Sequence, residues 1–132
     1  MGPANRATEP TGQLAVQTLA MPANTNANGD IFGGWLVSQM DLAAGVIAKQ
    51  RSQGRAVTIA IDSMIFLRPV KVGDLVSCYA ELLSHGRTSM KIAVEVWVIG
   101  QVSGDRHQVT EGIFTFVAID AEGQKRAIPD AD

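Results

Sequence analysis

From Trp35 to Gln50 the chain runs without proline, and apolar residues cover nearly every side of the helix this stretch would form. Leu36, Met40, Ala43 and Ile47 recur at helical spacing on one side, while Val37, Ala44, Gly45, Val46 and Ala48 occupy the others. A helix of that kind is stable in water only where protein surrounds it, so the rest of the chain has to supply a wrapping. Gly33 and Gly34 lead into it, and the polar run Gln50 to Gly54 forms its exit loop.

The wrapping can be read on both sides of the helix. Leu14 to Met21 predicts a first strand, ended by Pro22 and by the run Asn24, Thr25, Asn26, Asn28, Gly29, which has turn chemistry. After Arg55, Val57, Ile59, Ile61, Ile65 and Leu67 share one face of a strand, with Ser63 as its polar member, and Pro69 ends it. Val70 to Asp74 is a turn, Leu75 to Leu83 a strand, and Ser84, His85, Gly86, Arg87 a tight connection. Met90, Ile92, Val94, Val96 and Val98 then alternate with Ser89, Lys91, Glu95 and Trp97, as a half-buried strand should. Gly100 to His107 reads as a hairpin loop and Val109 to Ile119 as the last strand. A strand, a helix and four further strands joined mostly by short turns predict an α+β fold: one curved antiparallel sheet around a central helix.

A chain of 132 residues closes one core of this kind and not two, so residues 13–129 are expected to be a single domain and residues 1–12, rich in Gly, Pro, Ala and Thr, an N-terminal arm. A formal charge of −2 with scattered Lys and Arg gives no footprint for nucleic acid or an anionic membrane surface. Only 18% of the residues are charged, which points to surface buried against partner copies. Gln39, Asp41 and Asp62 interrupt the apolar stretches before any reaches the ~20 residues of a membrane span. The N-terminus lacks the basic-then-apolar order of a secretory signal, and the single cysteine, Cys78, lies among Val76, Tyr79 and Ala80, as a packed thiol would. A cytoplasmic, reducing compartment is expected.

Several chemistries drop out. Neither His85 nor His107 has a Cys, His or carboxylate at metal-motif spacing, so no metal site is expected, and no G-x-S-x-G, Walker or G-x-G-x-x-G pattern occurs. What remains is the polar loop Asn24 to Asp30, which runs through Ile31, Phe32, Gly33 and Gly34 into the helix bearing Asp41. Free N–H groups at the helix start, near Gly34 and Trp35, can polarise a carbonyl oxygen. Asp41 follows about two turns later on nearly the same side. A carboxylate among Met40, Leu42, Ala43 and Ala44 is costly to ionise unless hydrogen-bonded, hydrated or used. A solvated or capping aspartate fits the same pattern, the loop asparagines can be turn formers only, and Arg87 and Lys91 can be solvated strand-end charges. The residues alone define a helix-centred site with one well-placed acid and no assigned reaction.

Five segments in this order resemble the acyl-CoA thioesterases of the hotdog superfamily, and most closely their YciA-type branch: MPANTNANGDIFGGWLVSQMD (Met21 to Asp41), RPVKVGD (Arg68 to Asp74), HGRTS (His85 to Ser89), KIAVEVWV (Lys91 to Val98) and FTFVAID (Phe114 to Asp120). The resemblance extends from Gln13 to Pro129. It implies a hotdog fold, a homodimer with two composite sites as the unit, and commonly a homohexamer built as a trimer of dimers. The implied reaction is hydrolysis of acyl-CoA to a carboxylic acid and CoA, with Asp41 as general base or nucleophile. Asn26 would complete the site from the opposite subunit, and the Gly34 region would supply the N–H for the carbonyl oxygen. Asp30 is the rival acid, expected to fix the loop or cap the helix.

Because CoA carries phosphate charges, Gly86, Arg87, Thr88 and Ser89, with exposed N–H groups, hydroxyls and a forked cation, are the candidate phosphate grip, and Ser63 is a further candidate substrate-binding residue. CoA is then part of the substrate and no separate cofactor is expected. Two other readings compete: an acyl-CoA-binding or regulatory module without hydrolysis, against which Asp41 argues, and a dehydratase, for which no histidine accompanies the helix motif.

Overall fold

The computed structural model describes residues 8–130, so residues 1–7 of the expected N-terminal arm lie outside the described residues. Among the described residues five strands, β1 (Gln13–Leu19), β2 (Ala56–Phe66), β3 (Leu75–His85), β4 (Ser89–Ile99) and β5 (Arg106–Ala118), flank one α-helix, α1 (Gly33–Ser52). All strand pairs are antiparallel, in the order β1-β3-β4-β5-β2, which leaves β1 and β2 at the two edges. The sheet curls round α1, which packs against all five strands. This is the α+β arrangement expected from the periodicity.

The core forms where α1 meets the inner face of the sheet. Met90, Ile92, Val94, Val96 and Val98 of β4 are buried there with Phe114 and Phe116 of β5 and Leu36, Met40, Ala43, Ala44, Ile47 and Ala48 of α1. Gly112 sits at a tight point of this packing, where a Cβ would lie 3.0 Å from Ser63 O of β2 and 3.2 Å from Met40 Cε of α1. Such burial, at about 25 cal/mol per Å² of apolar area, is what holds an α1 that lacks a polar face of its own.

Three features depart from the sequence reading. In β2 the register shifts between Thr58 and Ala60 and again between Ile61 and Ser63, so the expected single apolar face is split: Ile61 pairs with the core residue Phe114, while Ser63 pairs with Ile113 and Ile65 with Glu111 on the outer face. Trp97 is not a half-exposed outward residue, because Arg106 lies 5.6 Å over its ring and Glu95 accepts its indole N–H at 2.8 Å. The helix is also not enclosed on every side, since Leu42 is 59% exposed and Ser38 and Lys49 are open to solvent.

Both ends of α1 are pinned. At its start, Ile31 N donates to Val70 O at 3.0 Å and Phe32 N to Asn24 O at 3.1 Å, fixing the approach of the polar loop. At its end, Gln53 takes a left-handed conformation (φ 56°), and Arg126 of the C-terminal segment donates to Ser52 O at 2.8 Å.

Candidate active site

Asp41 stands half-buried on α1, in the stretch of the helix that the sheet leaves uncovered. Thr58 of β2 reaches it: Thr58 Oγ1 donates to Asp41 Oδ1 at 2.5 Å. The pairing that delivers Thr58 is long-range. Thr58 lies opposite Phe116, and Phe116 opposite Met90, so one row across β2, β5 and β4 ends beside the middle of the helix. The two residues open onto a groove of about 660 Å³ between α1 and the strand edges, lined also by Gly45, Lys49, Ala56 and Phe116. That volume lies within the range of small-molecule sites, and the lining is mostly apolar with a polar group at one end. A carboxylate oriented through one oxygen, with its second oxygen clear of that bond, can take a proton from water or attack an electrophilic carbon.

The loop before the helix is ordered by its own side chains. Asn26 Oδ1 accepts from Asn28 N at 2.9 Å and from Asp30 N at 3.2 Å, and Asn26 N donates to Asp30 O at 2.7 Å. Within one chain Asn26 is therefore a turn former, as the local chemistry allowed, and it makes no bond to Asp41. Asp30 forms an ion pair with Lys71 and does not cap the helix, whose N-cap, Phe32, has no side-chain cap bond. Of the donors expected at the helix start, Trp35 N is used, donating to Phe32 O at 3.1 Å. Gly34 N has no partner among the described residues and is exposed.

The HGRTS turn closes β3 onto β4 at the end of the sheet nearest Thr58. Ser89 pairs with Val117, which pairs in turn with Val57, the neighbour of Thr58. The turn is braced: Gly86 N donates to Ser89 O at 2.9 Å, Thr88 O accepts Ala118 N at 2.9 Å and Arg87 O accepts Ile128 N at 2.7 Å. The Arg87 side chain is left exposed, and His85 Nε2 lies 3.2 Å from Arg51 Nη2 at the C-terminal end of α1. Ser63 is elsewhere. It lines a hollow on the outer face of the sheet with Ala93, Glu95, Glu111 and Ile113, away from Asp41 of its own chain. Lys91 is not a free strand-end charge, because its ammonium donates to Asp62 at 2.8 Å and to Thr115 at 3.0 Å. The hydrogen bonds from Lys91 and Thr115 hold the Asp62 carboxyl below its ordinary range.

The model of the family described as Thioesterase superfamily matches residues 28–104, from the polar loop to the end of the β4–β5 hairpin loop. The chain belongs to the thioesterase superfamily. Within this superfamily the chain falls in the YciA-type branch: it is 54% identical to the acyl-CoA thioester hydrolase YciA of Escherichia coli K12 over 123 residues, 91% of this chain and 93% of that protein. The solved structure of the hexameric thioesterase y2039 from Yersinia pestis superposes with a TM-score of 0.89 at 54% identity, covering 93% of this chain and all of that one. A hexameric hotdog fold thioesterase of Campylobacter jejuni gives a TM-score of 0.84 at 38% identity, covering 89% and 91% of the two chains. The fold is thus the hotdog fold that the sequence resemblance implied.

For this thioesterase the sequence reading missed Thr58, the one side chain among the described residues that bonds Asp41. Its signal is weak. A threonine between Val57 and Ile59 reads as an ordinary β-branched strand residue, and nothing local ties it to an aspartate 17 positions earlier.

Proposed function

We propose that this chain hydrolyses acyl-CoA to a free carboxylic acid and CoA, with Asp41 supplying the carboxylate that acts on water or on the thioester carbon. The observation that carries the reading is the Thr58–Asp41 bond at the mouth of an apolar groove, in a chain of the thioesterase superfamily. Water adds to the thioester carbon, the C–S bond breaks, and the departing thiolate takes up a proton; as general base Asp41 removes the proton from water, and as nucleophile it forms an acyl anhydride that water then opens. Gly34 N is a suitable donor for the oxygen that becomes negative. No cofactor enters this scheme, since CoA leaves with the product. Gly86, Arg87, Thr88 and Ser89 are our candidates for the CoA phosphates because the turn offers an exposed guanidinium and hydroxyls. Ser63, on the outer face of its own sheet, belongs to substrate binding only if another subunit contributes it.

The functional unit we propose is a dimer formed through β2. This edge strand exposes Val57, Ile59, Ile61, Ile65 and Phe66, each at least 40% accessible, an apolar edge that a lone chain in water would not keep. Joining two β2 edges continues the sheet and allows Asn26 of a partner to serve Asp41 of this chain. The y2039 and C. jejuni proteins are hexameric, which supports three such dimers here. No helix among the described residues is long and apolar enough to cross a membrane, and we propose a cytoplasmic location.

Thiol release from a panel of acyl-CoAs tests the reading. Wild-type protein should release CoA, and Asp41→Asn should lower turnover by orders of magnitude with the fold retained. Tight binding of acyl-CoA without release by the wild type would replace hydrolysis with the binding-module reading.

A further inference from the structure

Gly45 is out of place for its own chain. It stands in the interior of a 20-residue helix, where glycine is the least favourable residue after proline. Packing does not demand it: a Cβ there would lie 3.8 Å from Phe116 Cε2 and 3.9 Å from Phe116 Cζ, ordinary contact distances. The space that the missing side chain leaves is part of the Asp41 groove, with Phe116 as its floor. Asp41, Gly45 and Lys49 follow at intervals of four, about 6 Å apart along one face of α1, so Gly45 is the next position down the groove from the carboxylate. Between Thr58 and Lys49 the lining side chains, Leu42, Val46, Ala56 and Phe116 among them, carry no hydrogen-bonding group. Such a surface suits a hydrocarbon chain, whereas the pantetheine arm of CoA would leave its amides unpaired there.

We propose that Gly45 is a specificity-determining residue: the absent side chain, over Phe116, holds open the part of the groove that takes the acyl group and sets how large an acyl group this enzyme accepts. The inference rests on the hydrolase reading above and deepens it by assigning the acyl half of the substrate to this groove.

The test is kcat/KM for acetyl-, isovaleryl-, hexanoyl- and decanoyl-CoA in wild type, Gly45→Ala, Gly45→Val and Phe116→Leu, with melting temperatures alongside. A side chain at position 45 should lower the decanoyl-to-acetyl ratio of kcat/KM in step with its size, by about tenfold or more for Gly45→Val, the scale of one methylene too many in an apolar pocket. Gly45→Ala should melt no lower than wild type, since alanine suits a helix better. Phe116→Leu should raise the ratio, which keeps the proposal testable if Gly45→Val folds poorly. The proposal is overturned if the ratios stay within about twofold of wild type, if all acyl-CoAs lose activity equally, or if Gly45→Ala melts lower. Active wild type with unchanged ratios refutes this inference alone; wild type inert on every acyl-CoA refutes the hydrolase reading, and this inference with it.

Discussion

Thr58 Oγ1 lies 2.5 Å from Asp41 Oδ1, so a strand at the edge of the sheet holds the orientation of a carboxylate in the middle of the helix. A hydrogen bond to a charged group is worth about 1.5–3 kcal/mol, and here it fixes which oxygen faces the groove. Thr58→Val keeps shape and removes the donor. It should lower kcat roughly 10- to 100-fold with KM close to wild type, and Thr58→Ser should restore most of the rate. A Thr58→Val enzyme whose only defect is a lower melting temperature would leave the hydroxyl with a packing role alone.

Arg87 is not among the residues lining the Asp41 groove, and it stands on a turn whose backbone is bonded into the sheet and the C-terminal segment. A phosphate contact from such a position helps ground state and transition state alike. Arg87→Ala should therefore raise KM more than it lowers kcat for CoA thioesters, and should matter little for truncated thiol carriers that lack the nucleotide. Equal losses on both kinds of substrate would move Arg87 into structure or catalysis.

Cys78 supplies a prediction that is independent of catalysis. Burial in the sheet pushes its thiol up to about 12, so the folded protein keeps the proton through the range where an unfolded chain loses it. Its contribution to stability is complete below about pH 8.5 and declines as the pH rises toward about 12. Thiol-reagent labelling at about pH 8 should be slow in the native protein and rapid in guanidinium, and rapid native labelling would contradict the burial.

How much of this could be read in the sequence differs from element to element. Met40, Ile47 and Val94 announced themselves, because burial in a helix or strand imposes a period on neighbouring residues. Asp41 was conspicuous as a charge inside an apolar run. Thr58 was not, since its meaning comes from long-range pairing with Phe116. The two shifts in β2 carry no Gly or Pro to mark them, so strict alternation put Ser63 and Ile61 on one face where the structure separates them. The open side of α1 was hidden for another reason: a helix apolar all round looks the same whether its own sheet or a second copy covers it.

The dimer proposed through β2 can be disrupted by design. Ile59 is the most exposed of the large apolar residues of β2, at 57%. A lysine on an edge strand is a usual means of blocking edge-to-edge pairing. Ile59→Lys should shift the protein from oligomer toward monomer, read by light scattering after gel filtration, and activity should fall with the oligomer fraction. An Ile59→Lys protein that stays fully assembled would place the dimer contact elsewhere.

The proposed composite site admits a stricter test. In its own chain Asn26 accepts from Asn28 N and Asp30 N and makes no bond to Asp41, and the pairing proposed for the two is one between subunits. Asp41→Asn and Asn26→Ala should each be nearly inactive as homodimers, because every site carries one lesion. A heterodimer of the two gathers both lesions in one site and leaves the other whole. Random remixing of equal amounts makes about half the dimers mixed, each with one good site of two, so two-fold symmetry predicts about a quarter of wild-type activity. The mutants are unfolded, mixed and refolded together, with each refolded alone as control and subunit exchange followed by mass spectrometry. If exchange is complete and the mixture is no more active than the controls, Asn26 and Asp41 do not meet across the dimer, and the asparagine is left with its turn.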